Sequence, residues 1–133
     1  MRRAVVLDST PIIVGSVSGG TGMEVFAPSG VVEEVLNTTS EFQRTRVEAL
    51  LSSGAIRVRD PQRSSVERVS RSLSREERER ASRADVEVLA LALELSDEGY
   101  SVLLISDDSL VQRAAARLGI TCRGVKYTHR SGV

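Results

Sequence analysis

A single cysteine, Cys122, is all the thiol this sequence has. That excludes an internal disulfide and any cysteine-built zinc cluster, a zinc ribbon included, and it suits a reducing, cytoplasmic setting. Tryptophan is missing, and Phe26, Phe42, Tyr100 and Tyr127 are too few and too scattered for a base-stacking platform. Lysine occurs once, at Lys126, so the basic set is almost wholly arginine. Arginine suits bidentate phosphate contacts, although genome base composition is the simpler cause of such a skew. Neither sign of charge is in excess: 18 basic residues face 18 acidic ones. The molecule as a whole is therefore not a polycation that coats nucleic acid, and any such contact needs a local basic patch. The only histidine, His129, falls in a polar tail and reads as a solvated residue. No apolar run reaches membrane length; the stretch within Val86–Leu95 falls well short. The run after Met1-Arg2-Arg3 stops at Asp8, too early for the apolar core of a secretion signal. A soluble, cytoplasmic protein without a membrane partner is expected.

What the sequence does have is two apolar strands that end on aspartate. Ala4-Val5-Val6-Leu7 runs into Asp8, and Val102-Leu103-Leu104-Ile105-Ser106 runs into Asp107-Asp108. Continuous β-branched and leucine runs of this kind read as strands buried on both faces, the habit of parallel sheets. Ligands in open α/β sheets bind beyond the carboxyl ends of the strands, which puts these aspartates at that edge. Carboxylates gathered there repel one another unless a cation neutralises them.

The rest of the chain alternates strands and helices. After the strand at 3–8, Pro11 fits the first turn of a short helix, and Gly15–Gly22 reads as a mobile loop without the ending of a phosphate-binding loop. Glu24–Ala27 is extended, Ser29 is placed to cap a helix over 30–37, and a helix from Ser40 to Ser53 stops at Gly54. Ala55–Arg59 alternates as an edge strand. Ser64–Arg80 reads as one polar helix with a thin stripe at Val66, Val69 and Leu73. Ser82–Asp85 opens a very apolar helix, expected to be largely buried. The strand 101–106, a helix from Ser109 to Leu118 and a last strand over Ile120–Val125 complete the pattern. The expected fold is α/β: one domain over residues 1–126 with a mainly parallel central sheet flanked by helices, then a polar tail over 127–133.

Each acid has a structural reading beside the chemical one. Asp8 could cap the following turn. One of Asp107 and Asp108 could serve the positive end of the next helix, though two adjacent carboxylates exceed what a cap requires. Ser82-x-x-Asp85 is a close variant of a capping box, at the start of a helix that should lie near the sheet edge. Glu33 and Glu34 point about 100 degrees apart on one helix, and periodicity does not choose between them. The chemical reading is a site for magnesium or manganese, which prefer carboxylate and phosphate oxygens.

Four blocks taken in order resemble the successive motifs of PIN-domain endoribonucleases. They are Val6-Leu7-Asp8-Ser9-Thr10-Pro11-Ile12-Ile13, Pro28–Val35, Ser82–Leu95 and Leu104–Gln112. The third and fourth look most like the Nob-type enzymes that mature small-subunit ribosomal RNA. The resemblance implies a PIN-like domain and a Mg²⁺- or Mn²⁺-dependent endoribonuclease acting on single-stranded or loop RNA. It matches Asp8, Glu34, Asp85 and Asp108 to the four family acids, with Asp107 beside them as a further ligand. Ser9 and Ser106 fall where the family often has a hydroxyl that orients an acid. Nob-type proteins usually carry a zinc ribbon, and its absence here sets the ribosomal substrate apart. VapC-type toxin RNases share the bare domain but usually differ after the first aspartate of the fourth motif.

Two further readings stay open at this point. A non-catalytic RNA-binding or ribosome-assembly factor could keep the same fold and acids. Arg75, Arg78 and Arg83 could lead RNA towards Asp85, but the glutamates interspersed among them make a salt-bridged solvent face the simpler reading. Cys122, alternating on a late strand, reads as packing. Homodimerisation, or a partner protein that supplies an RNA-binding module, is expected alongside the RNA itself.

Overall fold

The computed structural model describes residues 2–13, 22–38 and 40–125. The expected mobile loop up to residue 21, the boundary at 126/127, the polar tail and His129 lie outside the described residues. The chain runs β1 (Arg3–Leu7), α1 (Ser9–Ile13), β2 (Met23–Ala27), α2 (Ser29–Thr38), α3 (Glu41–Ser52), β3 (Arg57–Val58) and α4 (Arg63–Ser72). It continues through α5 (Arg75–Arg80), α6 (Arg83–Asp97), β4 (Ser101–Ile105), α7 (Ser109–Arg117) and β5 (Thr121–Arg123). The expected single α/β domain with a central parallel sheet is what forms.

All four described strand pairings are parallel, in the order β3-β2-β1-β4-β5. β1 is central, and Ala4, Val5, Val6 and Leu7 are all buried there, as a strand covered on both faces requires. In register, Val5 faces Val25 of β2 on one side and Leu103 of β4 on the other. The chain first builds outward from β1 through β2 to β3. It then crosses back to lay β4 on the opposite flank of β1. The β1/β4 boundary is therefore the point where strand order reverses, and a crevice is expected at its carboxyl end.

α6 is the largest contributor to the core. Ala84 and every residue from Glu87 to Leu95 are buried, and the helix packs against β1, β4, α2, α4 and α7. Full burial of a side chain such as Leu89, Leu91 or Leu95 stabilises by roughly 1.5–3 kcal/mol, so this one helix anchors both halves of the sheet. Buried acids within it need partners. Glu94 accepts from the Gln62 N–H at 2.8 Å, the Ser65 hydroxyl at 2.9 Å and Arg59 at 3.0 Å, tying β3 and α4 to α6.

Two local expectations are corrected. The polar segment Ser64–Arg80 is two helices, broken at Leu73 and Ser74. Ser74 and Glu77 form a reciprocal capping box, which gives the backbone an alternative to continuing the first helix and lets Leu73 turn into the core. Ser29 is the first helical residue of α2 rather than its cap. Its N–H and its hydroxyl both donate to Asp60, at 2.8 and 2.9 Å, so that α2 is capped from the far end of β3.

Candidate active site

Asp8 follows β1 directly, its N–H donating to the Ile105 carbonyl at 3.1 Å and so extending the β1–β4 pairing by one step. Its carboxylate is held on both oxygens. The Ser9 N–H donates to Oδ1 and the Ser106 hydroxyl to Oδ2, each at 2.8 Å. Ser106 is fully buried at the end of β4 and accepts in turn from the Asp108 N–H at 3.1 Å. One hydroxyl thus links the ends of the two strands at the reversal point. Burial pushes the Asp8 carboxyl above its ordinary range, and the negative charges of Asp85 and Glu34 add to this. The hydrogen bonds from Ser106 and Ser9 pull the other way without cancelling it.

Two of the other acids, Asp85 and Asp108, arrive at helix N-terminal ends. Asp85 sits in the first turn of α6, accepting from the Ser82 N–H at 2.9 Å while its own N–H donates to the Ser82 hydroxyl at 3.1 Å. Asp108 caps α7, accepting from the Leu110 and Val111 N–H groups at 2.8 and 3.2 Å. Asp107 accepts from the Val125 N–H at 2.7 Å. The capping reading of Asp85 and Asp108 is therefore correct as geometry, and it does not displace the chemical one. Both residues also line a common pocket of about 460 Å³ with Asp8, Glu34 and Asp107. Of the two adjacent glutamates on α2, Glu34 lines this pocket and Glu33 does not.

The same wall includes Ser9, Thr10 and Ser82, and no arginine, lysine or histidine among the described residues. Five carboxylates without a single base form a donor set of hard oxygens that lacks a positive charge, and Asp85 and Glu34 add to the upward push that burial gives the Asp8 carboxyl. That chemistry fits a divalent cation. The carboxylates nonetheless stand apart, most leaning on backbone donors. Among the described residues no three His, Cys, Asp or Glu side chains are gathered closely enough to be a ready-made ion site.

Ser9 differs from its expected role. Its backbone N–H, not its hydroxyl, contacts Asp8, and the buried Oγ has no hydrogen-bond partner among the described residues. Thr10 and Ser82 line the pocket as well, though neither is an acid that the strand-end pattern marks. Each follows from turn geometry: Thr10 lies on the first turn after Asp8, and Ser82 is the cap that carries Asp85. Arg75, Arg78 and Arg83 do not line the pocket. Arg75 faces Glu79 at 3.7 Å on the solvent face, Arg83 faces the buried Glu87 at 3.5 Å, and Arg78 is exposed. The Cys122 thiol is pushed up to about 11, first by burial and then by the charge of Asp8, which suits packing and not nucleophilic attack. A second depression of about 450 Å³ near α4 and α6 includes Glu94, but the hydrogen bonds to that carboxylate already satisfy it as a structural tie.

Comparison with known proteins adds an independent line. The family described as the PIN domain of ribonuclease matches residues 5–95, a span that includes Asp8, Glu34 and Asp85. Ribonuclease VapC3 of Aeropyrum pernix is 39% identical over 132 residues, covering 95% of this chain and 88% of that protein. Endoribonuclease Nob1 of Pyrococcus abyssi is 36% identical over 127 residues, covering 95% of this chain and 71% of that protein. Among solved structures, a PilT N-terminus domain protein of Sulfolobus solfataricus superposes with a TM-score of 0.59 at 15% identity. The match covers 98% of this chain and 93% of that one, and shows a shared fold.

Proposed function

Because the chain belongs to the PIN-domain ribonuclease family, we propose that it is a divalent-metal-dependent endoribonuclease whose reaction takes place in the Asp8 pocket. The observation that carries this reading is the convergence of five carboxylates, with no basic side chain among the described lining residues, at the point where strand order reverses. Asp8, Glu34, Asp85 and Asp108, with Asp107 beside them, would hold Mg²⁺ or Mn²⁺. Such an ion supplies charge neutralisation at the phosphodiester and a more acidic water as the attacking group.

The chain's own residues do the positioning. Ser106 and the Ser9 N–H fix the Asp8 carboxylate at the centre of the wall. The capping bonds at Asp85 and Asp108 hold two further carboxylates in place at the N-terminal ends of α6 and α7. Partial positive charge at those helix ends eases the crowding of anions. In this reading water is the attacking species. The substrate is single-stranded or loop RNA.

A VapC-type toxin RNase is favoured by the match that spans 88% of VapC3. Ribosomal RNA processing is the second reading, favoured by the likeness of the third and fourth motif blocks to the Nob-type enzymes and by the Nob1 match. The test is incubation of pure protein with end-labelled single-stranded RNA in Mg²⁺, Mn²⁺ or chelator. Internal cleavage that needs the ion and is lost in Asp8→Asn is expected. Binding without cleavage under every ion condition would favour a non-catalytic RNA-binding factor.

A further inference from the structure

We propose that the groove between α5 and α7 receives the phosphodiester backbone of the RNA strand adjoining the scissile bond, with Arg113 and Arg80 holding its phosphates. The proposal rests on the nuclease reading for its substrate, but its geometry is separate from the acidic pocket. The groove has a volume of about 290 Å³, with Arg80, Glu76 and Glu77 of α5 on one wall and Leu110, Arg113 and Arg117 of α7 on the other. Both walls adjoin residues of the acidic pocket along the chain. Arg80 precedes Ser82 by two residues and Leu110 follows Asp108 by two, and Ser82 and Asp108 both line that pocket.

The charges in the groove are not equally free. Glu77 and Arg117 meet at 2.6 Å and neutralise each other. Glu76 and Arg80 approach only to 3.7 Å and are both exposed, a pair of little strength in water. Arg113 is exposed and, among the described residues, forms no ion pair. Three arginines against two glutamates leave one positive charge, carried on a helix whose cap, Asp108, lines the acidic pocket. A polyanionic strand is repelled by a wall of carboxylates, so neighbouring phosphates must be held by cations for the scissile one to enter. Arginine on a rigid helix does this with defined geometry. The arginines marked in the sequence are less suited, because Arg75, Arg78 and Arg83 do not line the groove.

The test uses the Asp8→Asn protein, short labelled single-stranded RNA and a salt series. Adding Arg80→Ala and Arg113→Ala together is expected to weaken binding about tenfold or more. The slope of log affinity against log salt should shrink by about 0.7 for each phosphate that is no longer neutralised. Arg44→Ala, on the exposed face of α3, is expected to leave both unchanged, and Glu76→Gln, which releases Arg80, to tighten binding. In the protein with Asp8 intact, replacing the two arginines should raise KM and spare kcat. An unaltered slope, or one matched by Arg44→Ala, overturns the groove. Cleavage by the unmodified protein with KM indifferent to both arginines refutes the groove and leaves the nuclease reading standing. Arginine-dependent binding by a protein that never cleaves refutes the nuclease reading and leaves the groove.

Discussion

Asp8 is held in a state its surroundings disfavour, and that has a consequence separate from catalysis. Burial and the charges of Asp85 and Glu34 raise its folded-state pKa above the unfolded value. For a carboxyl group this means the ionised form is costlier in the fold than in the open chain. The associated stability is fully present below the unfolded pKa and is lost as pH rises through the folded one. In chelator, Asp8→Asn is therefore expected to unfold at a higher temperature than the parent at pH 7, and the advantage should disappear in acid. Thermal melts across pH measure this; an Asn variant less stable at pH 7 would show that the carboxylate is a net stabiliser. At this scale the sequence was informative where a residue sits at a strand end, as Asp8 and Ser106 do. It could not separate Glu33 from Glu34, because only the rotation of α2 against α6 decides which of two neighbours faces the pocket. Nor did it reveal Glu87, a buried acid in an apolar helix, whose Oε1 has no hydrogen-bond partner among the described residues.

Helix ends carry much of this site, so structural and chemical roles coincide at the level of the element and can be separated by substitution. Asparagine caps a helix about as well as aspartate, while alanine costs roughly 0.5–2 kcal/mol. Asp108→Asn is therefore expected to keep the stability of α7 and lose cleavage, and Asp108→Ala to lose both. Chemical denaturation alongside a cleavage assay reads the two effects. Equal activity in parent and Asn variant would leave Asp108 only a cap. On α5, the Arg117 guanidinium beside Glu77 holds that carboxyl at about 2, with the Ser74 N–H adding to the effect. A depressed carboxyl contributes stability above its unfolded pKa, from about 4.5 upward, and loses it as pH falls through about 2. Glu77→Gln preserves the capping box but not the ion pair. It should therefore melt below the parent at pH 7 and converge with it near the acid limit; a constant gap across pH would place the effect in packing instead. The α4/α5 break was legible in principle, since Ser74-x-x-Glu77 has the capping-box spacing. The arginine-rich periodicity running through it masked the signal.

For the whole molecule, alternation of strands and helices and two apolar runs ending on acids were enough to expect a parallel α/β sheet with a carboxylate edge. Strand order was not legible, because it depends on which flank of β1 receives β4, a matter of long-range packing by α6. That placement makes the edge costly. Zero net charge conceals a separation in which five carboxylates share one wall while arginines occupy the helices around it. An ion that binds only the assembled wall stabilises the fold by mass action, with a melting temperature that keeps rising with ion concentration, by about 2.7 kcal/mol of stability at a hundred times Kd. Screening by sodium chloride acts on the same repulsion without a site, and so more weakly at matched ionic strength. Mg²⁺ or Mn²⁺ should raise the melting temperature of the parent well beyond the sodium control, and Asp8→Asn should reduce the difference sharply because it removes the proposed central ligand. If divalent and monovalent salts gave the same shift at equal ionic strength, the wall would be a screened surface and not an ion site, and the chemistry assigned to it would have no seat.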